Sequence, residues 1–285
     1  MSRIDHHRPR YAELYGQFKK SYHLEMISDE ARTNSILHAL RRAISPSTVF
    51  CELGCGTGIF SIYAAERVRK VYAVEIDPVI SQTATETFAE SPFSDRIVLI
   101  EGDARQIELP EPADVIFCEM ISIWAVEEPQ VLIFNDAFER HLKPGGIFLP
   151  QRIVNLVDLG HFDFEIKDVN MKAVIPLFTG IRPPAILTET RVAKVLDFSA
   201  RIDLDLGFTL ELEALVTGDV NCARLTSIAQ MGPDVVFSGS DSLMPPTVVP
   251  LFEPVSVRIG DRLRLLASLR ARSDLGESIF KVERL

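Results

Sequence analysis

Residues 49–78 read VFCELGCGTGIFSIYAAERVRKVYAVEIDP. An apolar run ends in three glycines on alternate positions, Gly54, Gly56 and Gly58. An amphipathic segment follows, and a second apolar run closes on Glu75. The order is strand, tight turn, helix, strand. A dinucleotide fingerprint would place a third glycine where Ile59 stands, and a phosphate-binding loop would continue into a lysine and a hydroxyl residue, which are absent. Alternate glycines still let backbone approach a ligand closely, so the loop is expected to hold a group without phosphates. Glu75 follows Gly54 by 21 positions, where a carboxylate can accept hydrogen bonds from both hydroxyls of a ribose. Asp103 closes a third apolar run in LIEGDA, a position suited to an adenine edge.

Outward from this stretch, strand and helix patterns alternate from Thr48 to about Leu149, through VISQTATETFAE, RIVLIEGD, ADVIFCEM, PQVLIFNDAFERHL and GGIFLP. Such alternation predicts a parallel sheet with helices on both faces and a ligand at the carboxyl ends of the strands. Before it, Tyr11 to Ile44 has helical spacing and ends at SPS, Ser45 to Ser47. Beyond Pro150 the pattern changes to period-two stretches such as VLDFSARIDLDLGFTLELEALV and VSVRIGDRLRLLASLRAR, expected to be antiparallel strands. The expected fold class is therefore α/β, a Rossmann-like domain followed by a mostly antiparallel, β-rich domain. The expected division is 1–47 helical, 48–150 Rossmann-like and 151–285 β-rich.

The chain has 285 residues, 47% of them hydrophobic, and a formal charge of −10. The core can be sizeable. Neither the net charge nor any run of like charges points to nucleic acid or an anionic membrane. No apolar run approaches the roughly 18 residues of a membrane span, and the first twenty residues lack a signal-like apolar core, so a cytoplasmic protein is expected. The four cysteines form no C-x-x-C pair and are expected to be reduced and structural. No metal is expected.

The series E-x-G-x-G-x-G from Glu52, then Glu75, then Gly102-Asp103-Ala104, then HLKPGG at 141–146 resembles the class I S-adenosylmethionine-dependent methyltransferases. After the fourth strand comes CEMISIWAVEEPQ, in which Glu119 and Glu128 are nine positions apart around the single tryptophan, Trp124. This resembles the double-glutamate loop of the protein arginine methyltransferases, as do YAELY at Tyr11 to Tyr15 and HLEMISDEART at His23 to Thr33. The resemblance implies S-adenosylmethionine as cofactor and S-adenosylhomocysteine as product, held by Tyr15, Met26, Arg32, Gly54, Cys55, Gly56, Gly58, Glu75, Asp103 and Ala104. Arg32 would meet the cofactor carboxylate. Glu119 and Glu128 would be catalytic, with Tyr11, Met120, Trp124 and Glu127 lining the acceptor site. It further implies a β-barrel second domain and a homodimer. Glu127 competes with Glu128 for the second catalytic position; spacing favours Glu128.

A guanidinium stays protonated in any ordinary site and is a poor nucleophile. Two carboxylates can grip its fork of N–H donors, fix its plane and draw positive charge away from the attacking nitrogen. They also offset repulsion from a sulfonium, which at about 4 Å costs on the order of 4 kcal/mol at an effective dielectric near 20. The simpler alternative is that Glu119 ends a strand and Glu127 and Glu128 open a helix, where acidic residues are favoured anyway.

The chain departs from the family in three places. It has no Thr-His-Trp segment, the aligned region reading SDSLMPPTVV; the stretch from Phe162 to Leu187 is short for a dimerisation arm; and Arg105 stands where a glutamate is usual. The missing segment, together with a compact second domain, favours free L-arginine or a small arginine-like metabolite over an arginine-containing peptide as acceptor. Rival expectations are a protein arginine methyltransferase, an O- or C-methyltransferase of a small natural product, and a catalytically silent partner of an active homologue.

Overall fold

The computed structural model describes residues 25–166, 169–170 and 172–285. Its contacts divide the chain into two units, residues 1–118 with 139–147, and residues 119–138 with 148–285.

The first unit is built on a five-stranded sheet in the order β3-β2-β1-β4-β5. The strands are β1 (Val49–Leu53), β2 (Lys70–Glu75), β3 (Ile97–Glu101), β4 (Ala113–Cys118) and β5 (Leu142–Leu149). β1 pairs in parallel with β2 and β4, and β2 with β3. Every residue of β1 and all of β2 beyond Lys70 are buried, as expected of parallel strands covered on both faces. That is why these segments read as mostly apolar runs, with Glu52 and Glu75 as the buried exceptions. The strand order reverses between β1 and β4, and the crevice at such a reversal is where open sheets of this kind bind ligands.

Helices α1 (Glu30–Ala43), α2 (Ile59–Ala65), α3 (Pro78–Ala89) and α4 (Gln130–Arg140) intervene. The N-terminal run, expected to be mostly helical, is broken at Asp29, whose carboxylate accepts from the Arg32 N–H at 3.1 Å and starts α1. Residues 25–28 are helical before that break. α3 begins with Asp77 as its cap and Pro78 in the first turn. β5 starts at Leu142, earlier than expected. It runs through Pro144 and lies at the edge of the sheet, where a missing N–H is tolerated.

The second unit contains antiparallel sheets forming a barrel-like domain. Its seven-stranded sheet places β6 (Arg152–His161) beside Gly218–Gly232, which pairs in turn with Thr247–Val257. A three-stranded sheet joins Phe208–Glu213, Arg262–Ser268 and Ile279–Arg284. Gly218–Gly232 alternates buried and half-buried side chains over much of its length, the period-two pattern that made this half legible as β.

Residues 119–138, expected within the Rossmann-like domain, cluster with the second unit. The reason is packing: the ring of Phe134 sits 4.8 Å from those of both Phe148 and Phe198, and the side chain of Asn135 exchanges two hydrogen bonds with the backbone of Ile202.

Candidate active site

In the first unit the loop after β1 folds back on the end of β2. The N–H groups of Gly54 and Cys55 both donate to the Val74 carbonyl, at 2.9 and 2.8 Å. Gly54, Gly56 and Gly58 have φ of 76°, 56° and 86°, which is the physical reason for glycine at alternate positions. Gly58 is fixed doubly, because a Cβ there would lie 2.2 Å from the Phe88 ring.

Glu75 ties this loop to its own strand. One carboxylate oxygen accepts from Gly56 N–H at 2.8 Å, and the other from Ile76 and Asp77 N–H at 2.9 Å each. Burial raises its pKa, partly offset by those three bonds. A carboxylate has about four lone-pair sites, so Glu75 keeps roughly one for a ligand here. The expected two-hydroxyl grip on a ribose requires one backbone donor to give way.

Cys55 contributes backbone only. Its side chain packs with Ala73, Ala84 and Phe88, and burial raises its pKa well above the usual thiol value. Asp103 is clasped by Arg105, whose Nε and Nη2 reach its two oxygens at 3.0 and 2.5 Å. Ala104 beside it is buried. Arg32 is buried at the start of α1, donating to the Met26 carbonyl at 2.9 Å, with its guanidinium 6.0 Å from the centre of the Phe60 ring. Glu52, quoted in the motif but not assigned a role, is buried beneath the loop and accepts from Ser61 Oγ at 2.5 Å. The first unit thus combines a buried guanidinium, acidic acceptors at two strand ends and a glycine loop with no phosphate-binding cation. That set fits an adenosyl group carrying an amino acid and no phosphate.

In the second unit one loop carries the acceptor candidates. Glu119 follows β4, and Met120 N–H donates to the Gln130 side chain at 3.0 Å. Ser122 Oγ accepts from Glu127 N–H at 2.9 Å and Glu128 N–H at 3.1 Å, closing the loop on itself. Trp124 and Ala125 have φ of 58° and 55°, a left-handed pair costing roughly 1–2 kcal/mol per residue. Trp124 holds that conformation. Its N–H donates to Ser227 Oγ at 3.0 Å, its indole N–H reaches the Leu156 and Thr226 carbonyls, and its ring lies 5.3 Å from Phe208 and 6.2 Å from Phe280. At 1% exposure it offers no face to an acceptor, so its expected substrate contact is corrected to an anchoring role. Asn155 bonds both the Trp124 carbonyl and Ser227.

The loop is also held from the C-terminal side. Arg272 and Ser273 N–H both donate to the Val126 carbonyl, and Leu275 N–H makes a long 3.5 Å contact to the Glu127 carboxylate. Glu127 is therefore turned towards backbone, and burial raises its pKa. The Glu128 pKa is pushed up to about 7, first by burial and then by the charges of Glu119 and Glu127, with Arg272 opposing. Three carboxylates on one half-buried loop repel one another, and a planar cation relieves that repulsion. Ser122, Gln130, Asn155 and Ser227 were not foreseen; only Ser122 and Gln130, within the quoted loop, lay near enough in sequence to be suspected. Tyr11 and Tyr15 lie outside the described residues. Among those residues no helix is long and apolar enough to cross a membrane, and no group of three side chains could hold a metal ion.

Residues 50–146 match the family model described as a methyltransferase domain. An uncharacterised protein of Methanocaldococcus jannaschii is 27% identical over 264 residues, covering 90% of this chain and 95% of that protein. The probable protein arginine N-methyltransferase 6 of Arabidopsis thaliana is 34% identical over 131 residues. That match covers 45% of this chain and 30% of the plant protein, so the chain spans under a third of that relative's length. A solved Trypanosoma brucei PRMT1 enzyme–prozyme heterotetrameric complex with S-adenosylhomocysteine superimposes with a TM-score of 0.77, at 21% identity, over 95% of this chain and 99% of the other. The fold is that of the class I S-adenosylmethionine-dependent methyltransferases related to the protein arginine methyltransferases.

Proposed function

We propose that this chain, a class I methyltransferase with S-adenosylmethionine as its cofactor, methylates a guanidino nitrogen of arginine side chains in proteins. The observation that carries the reading is the anchored loop on which Glu119, Glu127 and Glu128 share one electrostatic environment. Relatives named for protein arginine methylation support a protein acceptor. They outweigh the short second half and the missing Thr-His-Trp segment, which had favoured free arginine.

Arg32, Met26, Gly54, Gly56, Gly58, Glu75, Asp103 and Ala104, with the Cys55 backbone, would hold the cofactor. When bound, that cofactor supplies an electrophilic methyl on a sulfonium. Glu119 and Glu128 orient the guanidinium by paired charge-assisted hydrogen bonds. Arrival of the cation favours the ionised form of Glu128, whose proton is released to solvent. The carboxylates then concentrate positive charge on the gripped nitrogens and leave the third more nucleophilic; transfer to that nitrogen would break the methyl–sulfur bond, leave the neutral thioether of S-adenosylhomocysteine, and release one N–H proton to solvent, directly or by way of a glutamate. Glu127 supports the loop through Leu275. A homodimer is part of the proposal.

The test is incubation of the purified protein with methyl-labelled S-adenosylmethionine and, separately, a Gly-Arg-rich peptide and free L-arginine, with transfer read by mass spectrometry. Label in the peptide is expected, and Glu119→Gln and Glu128→Gln should each lower it by at least about 100-fold, the scale seen when a preorganised polar group is removed. Label in free arginine alone would overturn the protein acceptor. Label in neither, with S-adenosylhomocysteine still bound, would turn the reading to a silent partner.

A further inference from the structure

The ends of β1, β2 and β3 opposite the glycine loop carry a second concentration of charge. A concavity of about 790 Å³ is lined there by Arg41, Arg67, Arg69 and Arg96, together with Ser45 and Glu66. Its size lies within the range of small-molecule sites, about 300–1,000 Å³. In a chain of net charge −10, a hollow lined by four arginines and one glutamate is a local reversal of sign.

Local structure accounts for only part of each side chain. Arg67 uses Nη1 on the Tyr63 carbonyl and Glu66, and its guanidinium lies 4.1 Å from the centre of the Tyr63 ring. Arg69 uses Nη2 on Glu111. Arg96 uses Nη1 on the carbonyls of Ala65, Glu66 and Val68, where α2 ends. Arg41, exposed in the last turn of α1, has no carboxylate partner among the described residues. Two of the four thus have a carboxylate neighbour, which leaves two positive charges uncompensated. A guanidinium presents five N–H donors, so the contacts named engage only a minority of the donors these four side chains carry. Capping a helix end needs one such residue; four exceed that need.

We propose that this pocket binds a small phosphorylated metabolite carrying at least two negative charges. Several guanidinium forks around one space suit phosphoryl oxygens, which accept paired hydrogen bonds from more than one arginine. The acidic balance of the whole chain disfavours an extended polyanion, which would meet repulsion beyond the hollow. The pocket is separated from the glycine loop by the length of the strands, about 15–20 Å at 3.3 Å per residue, so this proposal does not depend on the methyl acceptor.

Pyrophosphate titrated by calorimetry into the full-length protein at fixed ionic strength, with S-adenosylhomocysteine saturating, tests it. Saturable binding is expected, weakened about tenfold or more in Arg41→Ala and in Arg69→Ala, while each variant binds S-adenosylhomocysteine as the wild type does. Binding of inorganic phosphate should be weaker than that of pyrophosphate. No binding at millimolar pyrophosphate, equal binding by both variants, or tighter binding of a short oligonucleotide than of pyrophosphate would overturn the proposal.

Discussion

At the scale of single residues, Glu128 couples the acceptor loop to pH. Its folded pKa of about 7 lies above the ordinary carboxylate value of 4.5, so the folded chain favours its protonated form. The stability this group contributes is full below about 4.5 and is lost as pH rises through about 7. Activity should move the other way, because only the carboxylate can grip a cation. The expected outcome is a kcat/KM that rises through about pH 7 and levels above it, with a melting temperature that falls over the same interval. In Glu128→Gln that fall should be smaller, and a profile of kcat/KM flat from pH 6 to 8 would contradict the assignment.

Trp124 gives a second test. Trp124→Ala removes a buried ring and the bonds of its indole N–H, and should cost about 3–5 kcal/mol in thermal unfolding. As the single tryptophan, it should resist acrylamide quenching in the folded wild type. That Glu119 and Glu128 share one loop was legible because their spacing is local. The anchoring of Trp124 was not, since its partner Ser227 is 103 positions away and nothing in either segment alone announces the other.

At the scale of elements, the turn from β1 into α2 depends on two restrictions at Gly58, its left-handed φ and the Phe88 ring against it. Gly58→Ala should destabilise the protein by about 2–4 kcal/mol, combining left-handed strain with overpacking, read as a lower melting temperature. Adding Phe88→Leu should recover only the overpacking share; full recovery would show that the backbone conformation costs nothing. Alternation of strand and helix was readable because the parallel strands are mostly apolar and the segments between them follow helical spacing. The break at Asp29 and the early start of β5 were less so. A side-chain cap and an edge position are properties of the surroundings, and periodicity does not record them.

At the scale of the molecule, the first 150 residues contain every strand of the Rossmann-like sheet, but they do not contain the partners of 119–138. Trp124, Phe134 and Asn135 complete their contacts with Phe198, Ile202, Phe208, Ser227 and Phe280. A fragment ending at residue 150 would expose the rings of Trp124 and Phe134, and it should be recovered as aggregate under conditions where the full chain is soluble, as judged by light scattering. A soluble, cofactor-binding fragment would show that the sheet stands without them. The sequence marked Pro150 as a boundary because the hydrophobic period changes there. It could not show that an earlier stretch packs with the later half, because period describes local geometry and not the identity of the neighbour.

The peptide bond between Cys118 and Glu119 joins residues of different units. If Glu119 and Glu128 receive the acceptor as proposed, the inherited variation that alters what is methylated can accumulate among the residues that hold the Trp124 loop. The residues around the glycine turn are then free to remain under separate selection for the methyl donor.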